Sequence, residues 1–160
     1  MNVPGEIQEP QLTIGWREFV TLPELGIRNI KVKVDTGARS SSLHAYDIEP
    51  FQHEGREFIR FKVHPRQRSE SKVVETEAPL LEYRHVRSSS GESAERPVIL
   101  TQVRLFGRVW QIELTLANRD SMGFRMLLGR EAIRGSCLVD SGRSYLAGIP
   151  KRKRKKRNPD

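Results

Sequence analysis

A single cysteine, Cys137, excludes an internal disulfide, and its setting in Ser136-Cys137-Leu138-Val139 reads as the start of a buried strand. No apolar run approaches the ~18–20 residues that a membrane-crossing helix needs. The opening Met1-Asn2-Val3-Pro4-Gly5-Glu6 has neither a basic n-region nor an apolar h-region, so no secretory signal is expected and the cytoplasm is the expected compartment. There is no Gly-x-x-x-x-Gly-Lys-Ser/Thr phosphate loop and no His-Glu-x-x-His. The four histidines (His44, His53, His64, His85) stand singly, as surface or satisfied core residues do, and not at metal-ligand spacing. Neither ATP, zinc nor any other cofactor is expected. With 160 residues, 36% hydrophobic and 30% charged, the chain suits one small domain.

The formal charge of +8 is unevenly placed. Residues 151–160, KRKRKKRNPD, hold seven basic groups and one acid, leaving 21 basic against 19 acidic groups in residues 1–150. The body is nearly neutral and the basicity is a tail. Such a run repels itself and lacks apolar residues, so 150–160 is expected to be disordered. Two readings stand: residues 151–157 grip RNA or the ribosome through phosphate neutralisation, or they only solubilise the end.

Residues 1–11, with two prolines, read as a flexible leader. From Leu12 the pattern has period two: Leu12, Ile14 and Trp16, then Ile30, Val32 and Val34, then Ile59, Phe61 and Val63. Leu81, Tyr83 and His85 continue it, followed by Trp110, Ile112, Leu114 and Leu116. Turn signals separate these runs, among them Pro23-Glu24-Leu25-Gly26, His53-Glu54-Gly55 and Phe106-Gly107. Residues 88–93, SSSGES, read as a polar loop. One short helix is expected near 130–135. Many short strands around one core imply an all-β barrel or sandwich over residues 12–149.

The segment that carries chemistry is Ile30-Lys31-Val32-Lys33-Val34-Asp35-Thr36-Gly37-Ala38: an alternating strand running into Asp-Thr-Gly. An aspartic hydrolase needs two carboxylates close enough to share a proton, one acting as base on water and the other as acid. A strand end fixes the carboxylate, glycine admits a close backbone approach, and the Thr36 hydroxyl can bond across the pair. Alone, Asp-Thr-Gly reads as a tight turn, because Asp, Thr and Gly are ordinary turn residues. A second piece is Met126-Leu127-Leu128-Gly129-Arg130, an apolar strand ending in glycine, with Leu128 and Gly129 as candidate supports of the Asp35 loop.

In these segments the sequence resembles the retropepsin-like aspartic peptidases, and more closely the bacterial family labelled "ATP-dependent zinc protease". The resemblance covers residues 12–147. It is strongest at Gly15-Trp16-Arg17-Glu18, Leu22-Pro23-Glu24-Leu25, the run from Val34 to Ala45 and Leu127-Leu128-Gly129-Arg130. It implies a small closed retropepsin-like barrel, with Asp35, Thr36 and Gly37 catalytic and a homodimer that brings two Asp35 carboxylates together. Asp140-Ser141-Gly142 is a second Asp-x-Gly in the chain, but it follows the supporting glycine segment and is expected to be an ordinary strand and turn. Relatives of this family are associated with ATP-grasp ligases that add glutamates to ribosomal protein or small peptides. That implies a glutamate-rich or glutamylated substrate.

One departure from the viral relatives is Arg39, where those enzymes carry an acid that pairs with the arginine after the supporting glycine. Arg39 and Arg130 are then expected near each other, and like charges beside a cleft are costly unless an anion bridges them. Ala38, Arg39, His44 and Arg130 are the candidate substrate-binding residues. The competing reading pairs each arginine with a local acid such as Glu131 or Glu113. The hairpin within Phe51–Val63, turning at His53-Glu54-Gly55-Arg56, is the candidate substrate cover. A static structural hairpin is the other reading. The expected function is an aspartic-type peptide or amide hydrolase; the alternative is a non-catalytic barrel docking on RNA or ribosome through its basic tail.

Overall fold

The computed structural model describes residues 11–66, 72–87, 91–118 and 123–151. Nearly all of the expected leader and basic tail, and Ser88–Ser90 of the polar loop, lie outside those residues.

The described residues form eleven strands: β1 Leu12–Gly15, β2 Arg17–Leu22, β3 Ile27–Asp35, β4 Ser41–His44, β5 Tyr46–His53, β6 Arg56–Val63, β7 Val74–Arg87, β8 Ser93–Leu105, β9 Arg108–Ala117, β10 Met126–Gly129 and β11 Cys137–Asp140. One short helix, α1, covers Arg130–Ile133, within the expected interval, and Pro23–Leu25 make a single 3₁₀ turn. Period-two burial explains the principal strands. In β3, Ile30, Val32 and Val34 point into the core, while Lys31 and Lys33 point away from it.

Six strands close on themselves in the order β2-β3-β10-β4-β9-β8, with Thr21 of β2 meeting Arg104 of β8 to complete the ring. This is the expected all-β barrel. Its interior is filled by fully buried side chains, among them Leu22, Ile30, Leu43, Ile99, Leu114, Met126 and Leu128. Closure through the β2–β8 pairing removes the two edges that an open six-stranded sheet would expose. Beyond β8 the sheet continues through β7 and β6 to β5, and β1 pairs with β11 as a separate parallel ribbon.

Two hairpins turn as their residues dictate. Phe106 and Gly107, with φ of 54° and 72°, join β8 to β9, and Glu54 and Gly55, with φ of 50° and 77°, join β5 to β6. Two central residues with positive φ give the tight turn whose twist matches the flanking strands.

The run Leu12–Trp16 is not one strand. The chain breaks at Trp16, where the Glu18 carboxylate accepts the Gly15 N–H at 2.7 Å and the Trp16 N–H donates to the Arg143 carbonyl at 2.9 Å. β8 lacks a clear two-residue period in the sequence, since Pro97, Val98 and Ile99 are buried in succession and blur the alternation. No helix among the described residues is long and apolar enough to cross a membrane.

Candidate active site

Asp35 is the last residue of β3, at the point where Gly129 of the parallel strand β10 lies beside it in register. It is half-buried, and its Oδ1 accepts the Gly37 N–H at 3.0 Å, while the Ala38 N–H returns to the Asp35 carbonyl at 3.2 Å. The carboxylate is thus aimed by its own turn. Thr36 and Gly37 are exposed at the tip.

The loop from Asp35 to Ser41 is clamped from the side of β10 and α1. A methyl group on Gly129 would lie 2.5 Å from the Ser40 carbonyl oxygen and 3.0 Å from that of Ala38, so any side chain here forces the loop backbone to move. The Gly129 N–H donates to the buried Ser41 hydroxyl at 3.0 Å. The next two N–H groups, of Arg130 and Glu131, donate to the carbonyls of Ala38 at 2.8 Å and Arg39 at 3.2 Å. The Arg130 guanidinium reaches the Gly37 carbonyl at 3.2 Å. Leu128, fully buried beside Val34, anchors β10 in the barrel. Trp110 secures the helix from behind, its indole N–H donating to the Ala132 carbonyl at 2.7 Å. The expected supports therefore meet the Asp35 loop.

The local acids are engaged elsewhere. Glu131 lies 3.8 Å from Arg134, and Glu113 holds Arg84 at 2.8 Å, with Glu82 on the other side of that guanidinium. Glu113 and then Glu82, working against burial, hold the Arg84 guanidinium above its ordinary pKa. Arg39 is exposed and makes no ion pair with a described residue. Arg130 spends a donor on the loop and carries no acid partner of its own among the described residues.

Beside the loop lies a groove of about 520 Å³, bordered by Ala38, Arg39 and His44, by β7 and β8, and by the chain entering β10. His44 is half-buried, and its Nδ1 is sealed from solvent without a hydrogen-bond partner among the described residues. The hairpin at His53–Arg56 borders neither this groove nor its neighbour of about 700 Å³; β7 and β8 stand between it and the Asp35 loop in the sheet order. Among the described residues, no three His, Cys, Asp or Glu side chains are grouped to hold a metal ion.

Sequence reasoning passed over Ser41, Glu18 and the arginines of β7 and β8. Glu18 is fully buried, and its two oxygens accept the N–H groups of Gly15, Leu146 and Ala147 at 2.7, 2.9 and 3.0 Å. It sits in the Gly-Trp-Arg-Glu segment, where a carboxylate on an otherwise strand-like inward position was the available signal.

The family described as RimB-like, "Retropepsin-like aspartic endopeptidase RimB", matches residues 13–150. A protein of Shewanella pealeana named "Probable alpha-L-glutamate ligase" is 44% identical over 142 residues, 89% of this chain and 31% of that protein. One of the same name from Parasynechococcus marenigrum is 49% identical over 138 residues, 86% of this chain and 30% of that protein. The chain thus spans under a third of the length of the curated relatives it matches. A crystal structure of a Legionella pneumophila protein of unknown function superposes with a TM-score of 0.72 at 27% identity, over 86% of this chain and 99% of that one.

Proposed function

Since this chain belongs to the RimB-like family of retropepsin-like aspartic endopeptidases, we propose that it is an aspartic peptide or amide hydrolase whose active centre forms when two copies bring their Asp35 carboxylates together. The observation that carries this reading is the mounting of Asp35: a strand-end carboxylate, partly open to solvent, aimed by the Gly37 N–H and backed by a glycine where any side chain would collide with the loop backbone. A rigid mounting is what general acid–base chemistry requires, because the reacting groups must meet within hydrogen-bond reach.

In this mechanism two like charges at close range cannot both persist, so the pair holds one proton. The ionised carboxylate takes a proton from a water, whose oxygen bonds to the substrate carbonyl carbon. The protonated partner gives its proton to the carbonyl oxygen. Collapse of the tetrahedral adduct breaks the C–N bond: the nitrogen leaves with the proton taken from water, and a hydroxyl proton of the adduct passes to the other carboxylate, which restores the singly protonated pair.

The names of the relatives support a substrate class. Proteins named as glutamate ligases carry a segment like this one over part of their length. A hydrolase of glutamate-rich peptides or glutamylated protein is the partner activity that such an association supports. Ala38, Arg39, His44 and Arg130 around the Asp35 loop are the proposed substrate contacts.

The test is hydrolysis of oligo-glutamate amides between pH 4 and 8, with chelator present, by the unsubstituted protein and by Asp35→Asn. Turnover that disappears in the variant and ignores chelator is expected. Equal turnover by both proteins would overturn the reading, and no turnover by either would favour a non-catalytic barrel that docks on RNA or ribosome.

A further inference from the structure

The outer face of β2 and β3, which borders neither cavity, alternates cations with aromatic rings. Period two turns Arg17 and Phe19 of β2, and Lys31 and Lys33 of β3, out of the barrel. The register sets Arg17 opposite Lys33 and Phe19 opposite Lys31. Tyr145, beside β2, donates its N–H to the Arg17 carbonyl at 3.0 Å and stacks its ring on Phe19, with centroids 5.2 Å apart. The Arg17 guanidinium lies over the rings of Trp16 and Tyr145, at 4.6 and 4.9 Å. The Lys31 ammonium lies 5.6 Å from the Phe19 centroid and 5.9 Å from that of Tyr145. Lys33 is exposed and the other five residues are half-buried, so all of them reach solvent.

Three features set this face apart from an ordinary solvated one. Its cations lack acids: Arg17, Lys31 and Lys33 make no ion pair with described residues. Glu18, the carboxylate of β2, points inward and is spent on three N–H groups. Asp35 is the acid of β3 and stands at the strand end, beyond Lys33. Arg17 and Lys33 also face each other directly, which is unfavourable for like charges across a strand pair. Second, Tyr145 has φ of 55°, a left-handed conformation that bulky residues rarely adopt, and strain of this kind gathers at ligand sites. Third, Glu18 holds Leu146 and Ala147 beside β2, and Lys151 follows Ala147 by four residues, about 14 Å of extended chain at most. The basic run 151–157 is therefore rooted beside this face.

We propose that this face binds single-stranded nucleic acid. Lys31 and Lys33 meet backbone phosphates, and Lys31 in doing so swings off the Phe19 ring and uncovers it for a base. Every base has a π-face, so stacking on Phe19 and Tyr145 is tolerant of sequence. The planar Arg17 guanidinium, held against two rings, extends the platform, since bases stack on guanidinium planes as well. An acidic peptide would be drawn by the charge but would make no use of the rings. The inference goes beyond the proposed hydrolase function and does not depend on it.

Anisotropy of fluorescein-labelled oligouridylate, measured with the full chain across a salt series and beside labelled hexaglutamate, tests this. The double variant Lys31→Gln/Lys33→Gln is expected to weaken oligouridylate binding about tenfold. It should also reduce the salt slope by roughly 1.4, two phosphate contacts at about 0.7 each. Phe19→Leu is expected to weaken binding about fivefold with the slope unchanged, an effect that charge attraction alone does not produce. Lys155→Gln/Lys156→Gln in the tail should lower affinity while leaving the effect of Phe19→Leu in place. Thermal melts establish that each variant is folded, and Lys33→Gln alone, at an exposed position, is the substitution least able to disturb the barrel. A loss confined to the tail variant would overturn the proposal and assign binding to the tail. No binding of oligouridylate at low salt, or hexaglutamate bound equally tightly, would overturn it as well. Hydrolysis of glutamate amides is read separately, so failure of this proposal leaves the Asp35 chemistry standing, and the reverse.

Discussion

Two Asp-x-Gly turns in this molecule share one local geometry and differ in everything around it. Asp35 and Asp140 each end a strand, and each lies in register with a glycine of a parallel neighbour, Gly129 and Gly15. In both, Oδ1 accepts the N–H two residues on at 3.0 Å and the aspartate carbonyl accepts the N–H three residues on at 3.2 Å. In both, the residue after the neighbouring glycine donates to the third residue past the aspartate: Arg130 to Ala38 at 2.8 Å, Trp16 to Arg143 at 2.9 Å. A methyl group would collide with the opposing loop at either glycine, 2.2 Å from the Arg143 carbonyl oxygen in one case and 2.5 Å from that of Ser40 in the other.

The surroundings separate them. The Asp140 turn leads into a segment braced by the buried Glu18 carboxylate, whose oxygens hold the Leu146 and Ala147 N–H groups. Arg17 is stacked between Trp16 and Tyr145, 4.6 and 4.9 Å from the ring centres, and its Nε donates to the Ser144 hydroxyl at 3.1 Å. Asp140 borders neither cavity. Around Asp35 the buried partner is instead the neutral Ser41, and the nearby arginines face an open groove. The turn is a scaffold that aims a carboxylate; its neighbours determine whether that carboxylate meets protein or substrate.

The largest contrast is expected in turnover. Asp35→Asn should lower hydrolysis of glutamate amides by about a thousandfold or more, as for loss of an acid–base group, while Asp140→Asn should stay within about threefold. Equal losses would erase the distinction.

Stability should then rank the two regions in the opposite order. Glu18→Ala strands three N–H groups that the carboxylate now satisfies, at a cost of roughly 3–5 kcal/mol in urea unfolding. Glu131→Ala, exposed beside the Asp35 loop, should cost under about 0.5 kcal/mol. Gly15→Ala and Gly129→Ala should each cost about 1–3 kcal/mol, because backbone must move to admit the methyl group. Only Gly129→Ala should also depress turnover.

The smallest effect is on the pH dependence of the ribbon that carries Asp140. Burial pushes the Cys137 thiol above its ordinary pKa. The folded state therefore holds that proton to higher pH than the unfolded state does. The thiol's contribution is complete below the unfolded pKa and fades as pH rises through the folded one. Unfolding free energy measured across this range should fall less steeply in Cys137→Ala than in the unsubstituted chain.

Much of the barrel was legible because its strands obey a two-residue period, as at Ile30, Val32 and Val34, and because Gly107 and Gly55 mark tight hairpins. Gly129 was legible as a support through the resemblance of Leu127-Leu128-Gly129-Arg130 to the retropepsin-like pattern. What could not be read depends on contacts distant in sequence. Nothing local shows that Glu18 caps a segment 128 residues away, or that Arg84 and Arg96 stand opposite each other. The turn glycine of the hairpin at 53–56 fits a substrate cover and a static hairpin alike, and its separation from Asp35 by the intervening β7 and β8 is a matter of strand order that no local residue carries.

The central claim, that two copies each supply an Asp35, is tested most directly by titrating unsubstituted protein with Asp35→Asn protein under conditions that exchange subunits. If the dyad is shared, an equal mixture keeps about one quarter of the activity of the same total amount of unsubstituted protein, because only dimers with two aspartates turn over. Activity of about one half, proportional to the unsubstituted fraction, would contradict the account and assign the chemistry to a single chain.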